Sequence, residues 1–157
     1  MFSQPITRRR ILFTALAATT GAFGSLRSLA ATEDYPAIQA YRNLGCGCCE
    51  KWAESLRQSG FTVTMEDDPD LDRRRVEAGV PAGLAGCHTA FMGEYVIEGH
   101  VPASDIKRLL SEKLQVRGLA VAGMPLGSPG MESGDAADKY DVLAFTAEGA
   151  SKVFASH

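Results

Sequence analysis

The sequence predicts an α/β fold: a mixed sheet with flanking helices and an added C-terminal hairpin. Three observations carry this. Short apolar runs of period two alternate with stretches whose apolar residues recur at helical spacing. Their order is strand, helix, strand, helix, strand, strand, helix, and two further apolar runs close the chain. A strand–helix–strand crossover implies parallel pairing while a tight hairpin supplies antiparallel strands, so the sheet has to be mixed.

Ala37 to Tyr41 is too short for a helix and is assigned as the first strand, and Asn43-Leu44-Gly45 turns the chain after it. From Cys49 to Ser59, Trp52, Ala53 and Leu56 recur at helical spacing, and Gly60 ends that helix. Phe61 to Met65 is apolar at alternate positions, a strand. Asp68-Pro69 offers a cap and a first-turn proline to a short helix that runs through Ala78 and stops at Gly79. Residues 80–86 form a loop that delivers Cys87-His88. Thr89–Met92 and Tyr95–Glu98 flank Gly93-Glu94 as a tight hairpin. Gly99-His100-Val101-Pro102 then enters a helix with Ile106, Leu109, Leu110 and Leu114 on one face. Gly118 to Gly134, rich in glycine and proline, reads as a long irregular segment, and His157 as a frayed terminus. Asp141–Phe145 and Ser151–Phe154 pair around Glu148-Gly149. This order fits a thioredoxin-like sheet. The turn after its first strand would then face the residues just before its third, here Cys87-His88, although Cys49 and Cys87 are 38 positions apart.

Residues 1–30 carry Arg8-Arg9-Arg10, a short apolar run broken by threonine and glycine, and Ser28-Leu29-Ala30. A basic head, an apolar middle and a small-x-small end predict an export signal, and the paired arginines favour the twin-arginine route. The run falls short of the ~20 apolar residues of a spanning helix, so cleavage after Ala30 is expected over an uncleaved anchor. The expected mature domain, residues 31–157, then lies in the periplasm. Without the four arginines of residues 1–30 it holds 12 basic against 19 acidic residues, about −7. That charge argues against nucleic acid or anionic membrane as a partner. The acidic stretch Glu66-Asp67-Asp68-Pro69-Asp70 lacks the glycine and distal glutamate of a calcium loop and reads as a solvated helix start.

The chemistry is concentrated in Gly45-Cys46-Gly47-Cys48-Cys49 and in Cys87-His88. Structural cysteines occur singly, and disulfide frameworks spread their cysteines along the chain. Three thiols in four positions suit several sulfurs converging on one small volume. Cys48 and Cys49 would lie near a helix N-terminus, where unpaired N–H groups favour thiolate. Thiolate and thioether ligands favour Cu(I), and imidazole is also accepted, so Cys46, Cys48, Cys49, Cys87 and His88 are the candidate metal ligands. Met124 and Met131 on the long segment, and His100 before the third helix, are secondary candidates. Cys46 and Cys49 also form a Cys-x-x-Cys pair, which leaves a thiol-disulfide oxidoreductase as the rival reading. Cys48 between them would scramble such a disulfide by exchange. A zinc site is the third reading, and Trp52 is expected in the core rather than at the site.

With these residues in place, the chain resembles the CopG-type family of periplasmic metal-binding proteins. The resemblance rests on Gly45-Cys46-Gly47-Cys48-Cys49 with Trp52, on Cys87-His88-Thr89-Ala90, on Glu98-Gly99-His100-Val101-Pro102, and on Gly123-Met124-Pro125 through Gly130-Met131-Glu132. It implies a thioredoxin-like fold, a role in copper handling or resistance, other periplasmic copper-handling proteins as partners, and copper held by Cys46, Cys48, Cys49, Cys87 and His88 in a small multinuclear cluster. A copper oxidoreductase activity has been suggested for the family, but the residues do not establish one. Ala122 stands where a proline is expected before Gly-Met-Pro, a departure that leaves the ligands intact.

Overall fold

The computed structural model describes residues 34–134 and 137–157. The expected export signal at residues 1–30 lies outside the described residues. Among the described residues no helix is long and apolar enough to cross a membrane.

The elements follow as β1 (Ile38–Arg42), α1 (Gly47–Gln58), β2 (Val63–Asp67), α2 (Leu71–Ala78), a 3-10 turn (Ala82–Leu84), β3 (His88–Met92), β4 (Tyr95–Glu98), α3 (Ala103–Glu112), β5 (Gly118–Ala120), β6 (Asp141–Phe145) and β7 (Ser151–Ser156). They build one seven-stranded sheet in the order β2-β1-β3-β4-β5-β6-β7. β1 and β2 are parallel, as are β4 and β5, and the remaining neighbours are antiparallel. The first four strands with α1, α2 and α3 form the expected thioredoxin-like unit, and the last three extend its sheet.

Period two in the strands divides the core between the two faces. Ala90, Met92, Ile97, Leu119, Val142 and Ala144 join Trp52, Ala53 and Leu56 of α1 and Ile106 and Leu109 of α3. Val96, Ala120 and Phe145 point the other way and join Ala78 of α2 with Val80 and Leu84. Helices therefore cover both faces, with α1 and α3 on one and α2 on the other.

Four expectations are corrected. The segment from Gly118 begins as a strand, because Gly118-Leu119-Ala120 fills the gap between β4 and β6. A Cβ on Gly118 would lie 1.8 Å from Val96 O, so only glycine permits that approach. The third helix ends at Glu112, and Lys113 turns left-handed at φ 48° before Leu114. Asp68 does not cap α2; its Oδ1 accepts the Asp70 N–H at 2.9 Å, and the helix starts at Leu71. His157 is anchored rather than frayed: it exchanges two backbone hydrogen bonds with Tyr140, stacks on its ring, and pairs Nε2 with Asp105 Oδ2 at 2.7 Å.

Two substitutions test this packing. Leu109→Ala should cost about 3 kcal/mol by leaving a cavity under α3. Gly118→Ala should cost roughly 2 kcal/mol by forcing β5 away from β4. Denaturant unfolding measures both, and an unchanged midpoint for Gly118→Ala would contradict the β4–β5 contact.

Candidate metal centre

Cys46 is the N-cap of α1, and Cys48 and Cys49 lie in its first turn, which carries all three sulfurs to one helix end. The Arg42 guanidinium holds that end in place. It donates to Cys46 O at 3.0 Å and pairs with Glu50 at 3.2 Å and Asp67 at 2.8 Å. The antiparallel register of β1 with β3 sets Arg42 opposite His88 and so brings Cys87 to the same helix end.

The four cysteines are free, and their sulfurs all lie within 4.8 Å of one another. Cys46 Sγ is 2.8 Å from Cys49 Sγ, 2.8 Å from Cys87 Sγ and 3.2 Å from Cys48 Sγ. Cys87 Sγ is 3.0 Å from Cys49 Sγ and 3.3 Å from Cys48 Sγ. All exceed the ~2.05 Å of a disulfide bond. Cys49 and Cys87 are buried, while Cys46 and Cys48 are partly exposed and form the accessible side.

The charge is not where the helix end alone would put it. A hydrogen bond with Cys49 holds the Cys87 thiol far below its usual range. Burial, with contacts to Cys46 and Cys87, pushes Cys48 up to about 12. The hydrogen bond to Cys87, followed by burial, raises Cys49 as well. Cys87 is thus the lowered thiol of the group, whereas Cys48 and Cys49, expected to favour thiolate at the helix end, are raised.

Neither histidine belongs to the four-sulfur group itself; both rings stand beside Cys87, fully buried. His88 is the first residue of β3, with its ring 4.0 Å from Trp52 and 5.1 Å from His100 between centroids. Burial lowers His88 to about 4, so it is neutral at pH 7. Neither of its ring nitrogens has a hydrogen-bond partner. His100 Nδ1 lies 2.8 Å from Pro129 O. A carbonyl only accepts, so Nδ1 carries the proton and the unpartnered Nε2 keeps its lone pair. Buried polar atoms without partners are rare, and nitrogen lone pairs beside a thiolate suit a metal ion. Trp52 is a core residue, as expected, but it is also the wall of His88, and its Nε1–H donates to Val101 O at 3.0 Å.

The segment carrying Met124 and Met131 packs against this site. Gly130, at φ +86°, sits so close to α1 that a Cβ would meet Cys48 O at 2.6 Å and Trp52 N at 2.7 Å. Pro129 O is the anchor of His100. Gly123 bridges to Gly86, and its N–H donates to Ala85 O at 3.0 Å. Met124 is nonetheless half exposed, and Met131 is partly buried. The acidic stretch is spoken for by arginines, Asp67 with Arg42, Asp68 with Arg74 and Asp70 with Arg73.

Sequence reasoning missed two members of this neighbourhood, Arg75 and Glu98. Glu98 is fully buried, and Arg75 Nε donates to its Oε1 at 2.8 Å. The signal was a carboxylate ending the apolar run Tyr95-Val96-Ile97, directly before Gly99-His100.

Two solved structures match, both titled "Copper resistance protein copG", one as form 2 and one as form 1. Each is 41% identical to this chain with a TM-score of 0.75, and the alignment covers 79% of this chain. It covers 99% and 98% of theirs. The chain belongs to the CopG copper resistance protein family. The family described as "Protein of unknown function, DUF411" matches residues 84–131, which span Cys87, His88, His100 and the strap of residues 123–131 that packs against α1. No match is found among curated proteins.

Gly130→Ala should lift the strap from α1. Amide exchange across residues 124–132 should then accelerate and Trp52 emission shift to the red, while α2 and β2 keep their protection. Unchanged exchange would mean the strap does not need the close approach at Gly130.

Proposed function

We propose that this CopG family member binds copper as Cu(I) in the periplasm and serves copper resistance, with Cys46, Cys48, Cys49 and Cys87 as thiolate ligands and His88 and His100 as imidazole ligands. The observation that carries this reading is the convergence of four free sulfurs within 4.8 Å beside two buried imidazoles with unpartnered nitrogens. Soft thiolates prefer Cu(I), and neutral imidazole accepts it. Six donors exceed what a single Cu(I) takes up, so more than one copper per chain is expected. Loading must release the protons held on Cys48 and Cys49, which makes affinity rise with pH. Export by the twin-arginine route, with residues 1–30 as the signal, belongs to the same reading.

Competition with a calibrated Cu(I) chelator is the test. Cu(I) should bind far more tightly than zinc, at more than one ion per chain, and one zinc ion held in preference would overturn the reading. Cys48→Ser should cut copper loading sharply. Met124→Leu should keep the fold and the copper count while copper leaves a few-fold faster, since a half-exposed thioether is a peripheral donor.

The short Cys46–Cys49 and Cys46–Cys87 separations favour one second reading, thiol-disulfide exchange. It predicts disulfide exchange that survives Cys48→Ser with copper content unchanged. That pair of results would replace the copper reading.

A further inference from the structure

We propose that Arg75 and Glu98 are positioning residues for the Cys87-His88 pair, a clamp on the α2 face of the sheet that fixes where these two donors point. Glu98 Oε1 accepts the Gly86 N–H at 2.7 Å and Arg75 Nε at 2.8 Å. Its Oε2 accepts the Thr89 hydroxyl at 2.6 Å. One buried carboxylate therefore grips the residue before Cys87 and the residue after His88. Arg75 completes the grip, because its Nη2 donates to Gly86 O at 2.6 Å. That carbonyl lies in the plane of the Gly86–Cys87 peptide, so fixing it fixes the backbone from which the Cys87 side chain departs.

Steric contact closes the same joint. A Cβ on Gly86 would meet Gly99 Cα at 2.6 Å, and one on Gly99 would meet Val121 O at 2.4 Å. The chain thus has little freedom at the residues the clamp holds. Stability alone does not require an ion pair there, since a buried pair roughly breaks even against apolar residues of similar shape. What an apolar pair cannot do is satisfy both polar groups of Gly86 and the Thr89 hydroxyl at once. The planar fork of Arg75 reaches Glu98 Oε1, Gly86 O and, at 2.7 Å, Asp72 Oδ1 in fixed geometry, which lysine cannot reproduce.

The inference rests on Cys87 being a copper ligand, and its test separates the two claims. In metal-free, reduced protein, iodoacetamide labelling of Cys87 is measured by mass spectrometry against Cys46 in the same molecule. Arg75→Met and Glu98→Gln should raise the Cys87:Cys46 labelling ratio about tenfold through local opening. Arg117→Met is the control, because Arg117 also ties backbone carbonyls, Ala78 O at 2.8 Å and Glu94 O at 3.0 Å, but toward the β3–β4 turn. At matched loss of Tm it should leave the ratio unchanged. Should Arg75→Met not fold, Glu98→Gln carries the same comparison. Copper-loaded Arg75→Lys and Glu98→Gln should keep the wild-type copper count yet lose Cu(I) to a chelator about tenfold faster, as supports behind metal ligands do. An unchanged labelling ratio in Glu98→Gln, or an equal rise in Arg117→Met, would overturn the clamp. A wild type that takes up no Cu(I) would overturn the copper reading and leave the labelling ratio to decide the clamp.

Discussion

β1 and β3 pair antiparallel with Arg42 opposite His88, and the geometry of the candidate metal centre hangs on that register. Side chains alternate along a strand, so His88 shares a face with Ala90 and Met92, under Trp52. Thr89 takes the opposite face, where Glu98 accepts its hydroxyl and in turn pairs with Arg75. A slip of one residue would exchange these roles, sending the imidazole toward α2 and the threonine toward α1. Cys87 would leave the helix end with it. The sheet thus sorts two kinds of group, the candidate metal donors on the α1 and α3 side and the proposed polar clamp on the α2 side.

Crowding four sulfurs at a helix end sets two effects against each other. The unpaired N–H groups of the first turn favour a nearby thiolate by about 0.3–1 kcal/mol at an exposed site. Burial and neighbouring sulfurs oppose it, and they win at Cys48 and Cys49, whose thiols are raised. The lowered thiol is Cys87, whose Sγ lies 3.0 Å from Cys49 Sγ, beside both imidazoles. A metal-free cluster of this kind stores several protons in one volume. An incoming soft cation displaces them together, which couples binding of the metal to pH and to the packing of the whole helix end.

The strands and helices were legible because each shows its period locally. The cysteine cluster was legible because three thiols in four positions have no structural use. What escaped the sequence is non-local. Gly118-Leu119-Ala120 is too short to show alternation, and becomes a strand only because β4 and β6 leave a slot for it. The anchoring of His157 depends on Asp105, 52 positions earlier. His100 was only a secondary metal candidate, because the Pro129 carbonyl that fixes its tautomer and frees Nε2 lies 29 positions on. Arg75 was hidden in a run of three arginines, two of which make the exposed or partly exposed pairs expected of a helix surface. Its partner lies 23 positions away on another element.

The same distances that make disulfide chemistry conceivable here also argue against it as the purpose of the site. Cys46 Sγ is 2.8 Å from Cys49 and 2.8 Å from Cys87, so oxidation has two equivalent partners for one sulfur. Whichever bond forms leaves a further thiol close to it, with Cys48 Sγ 3.2 Å from Cys46 and 3.3 Å from Cys87. Attack by that neighbour regenerates a thiol and moves the disulfide without net change. A two-thiol oxidoreductase needs one defined bond that its substrate can open, and this arrangement defines none. An ion that engages all four sulfurs removes the degeneracy, because every thiol is then committed to the same centre. The strap at Gly130 and the clamp at Gly86 fit that demand, since they fix the two chain segments whose separation the shared centre would otherwise have to set by itself.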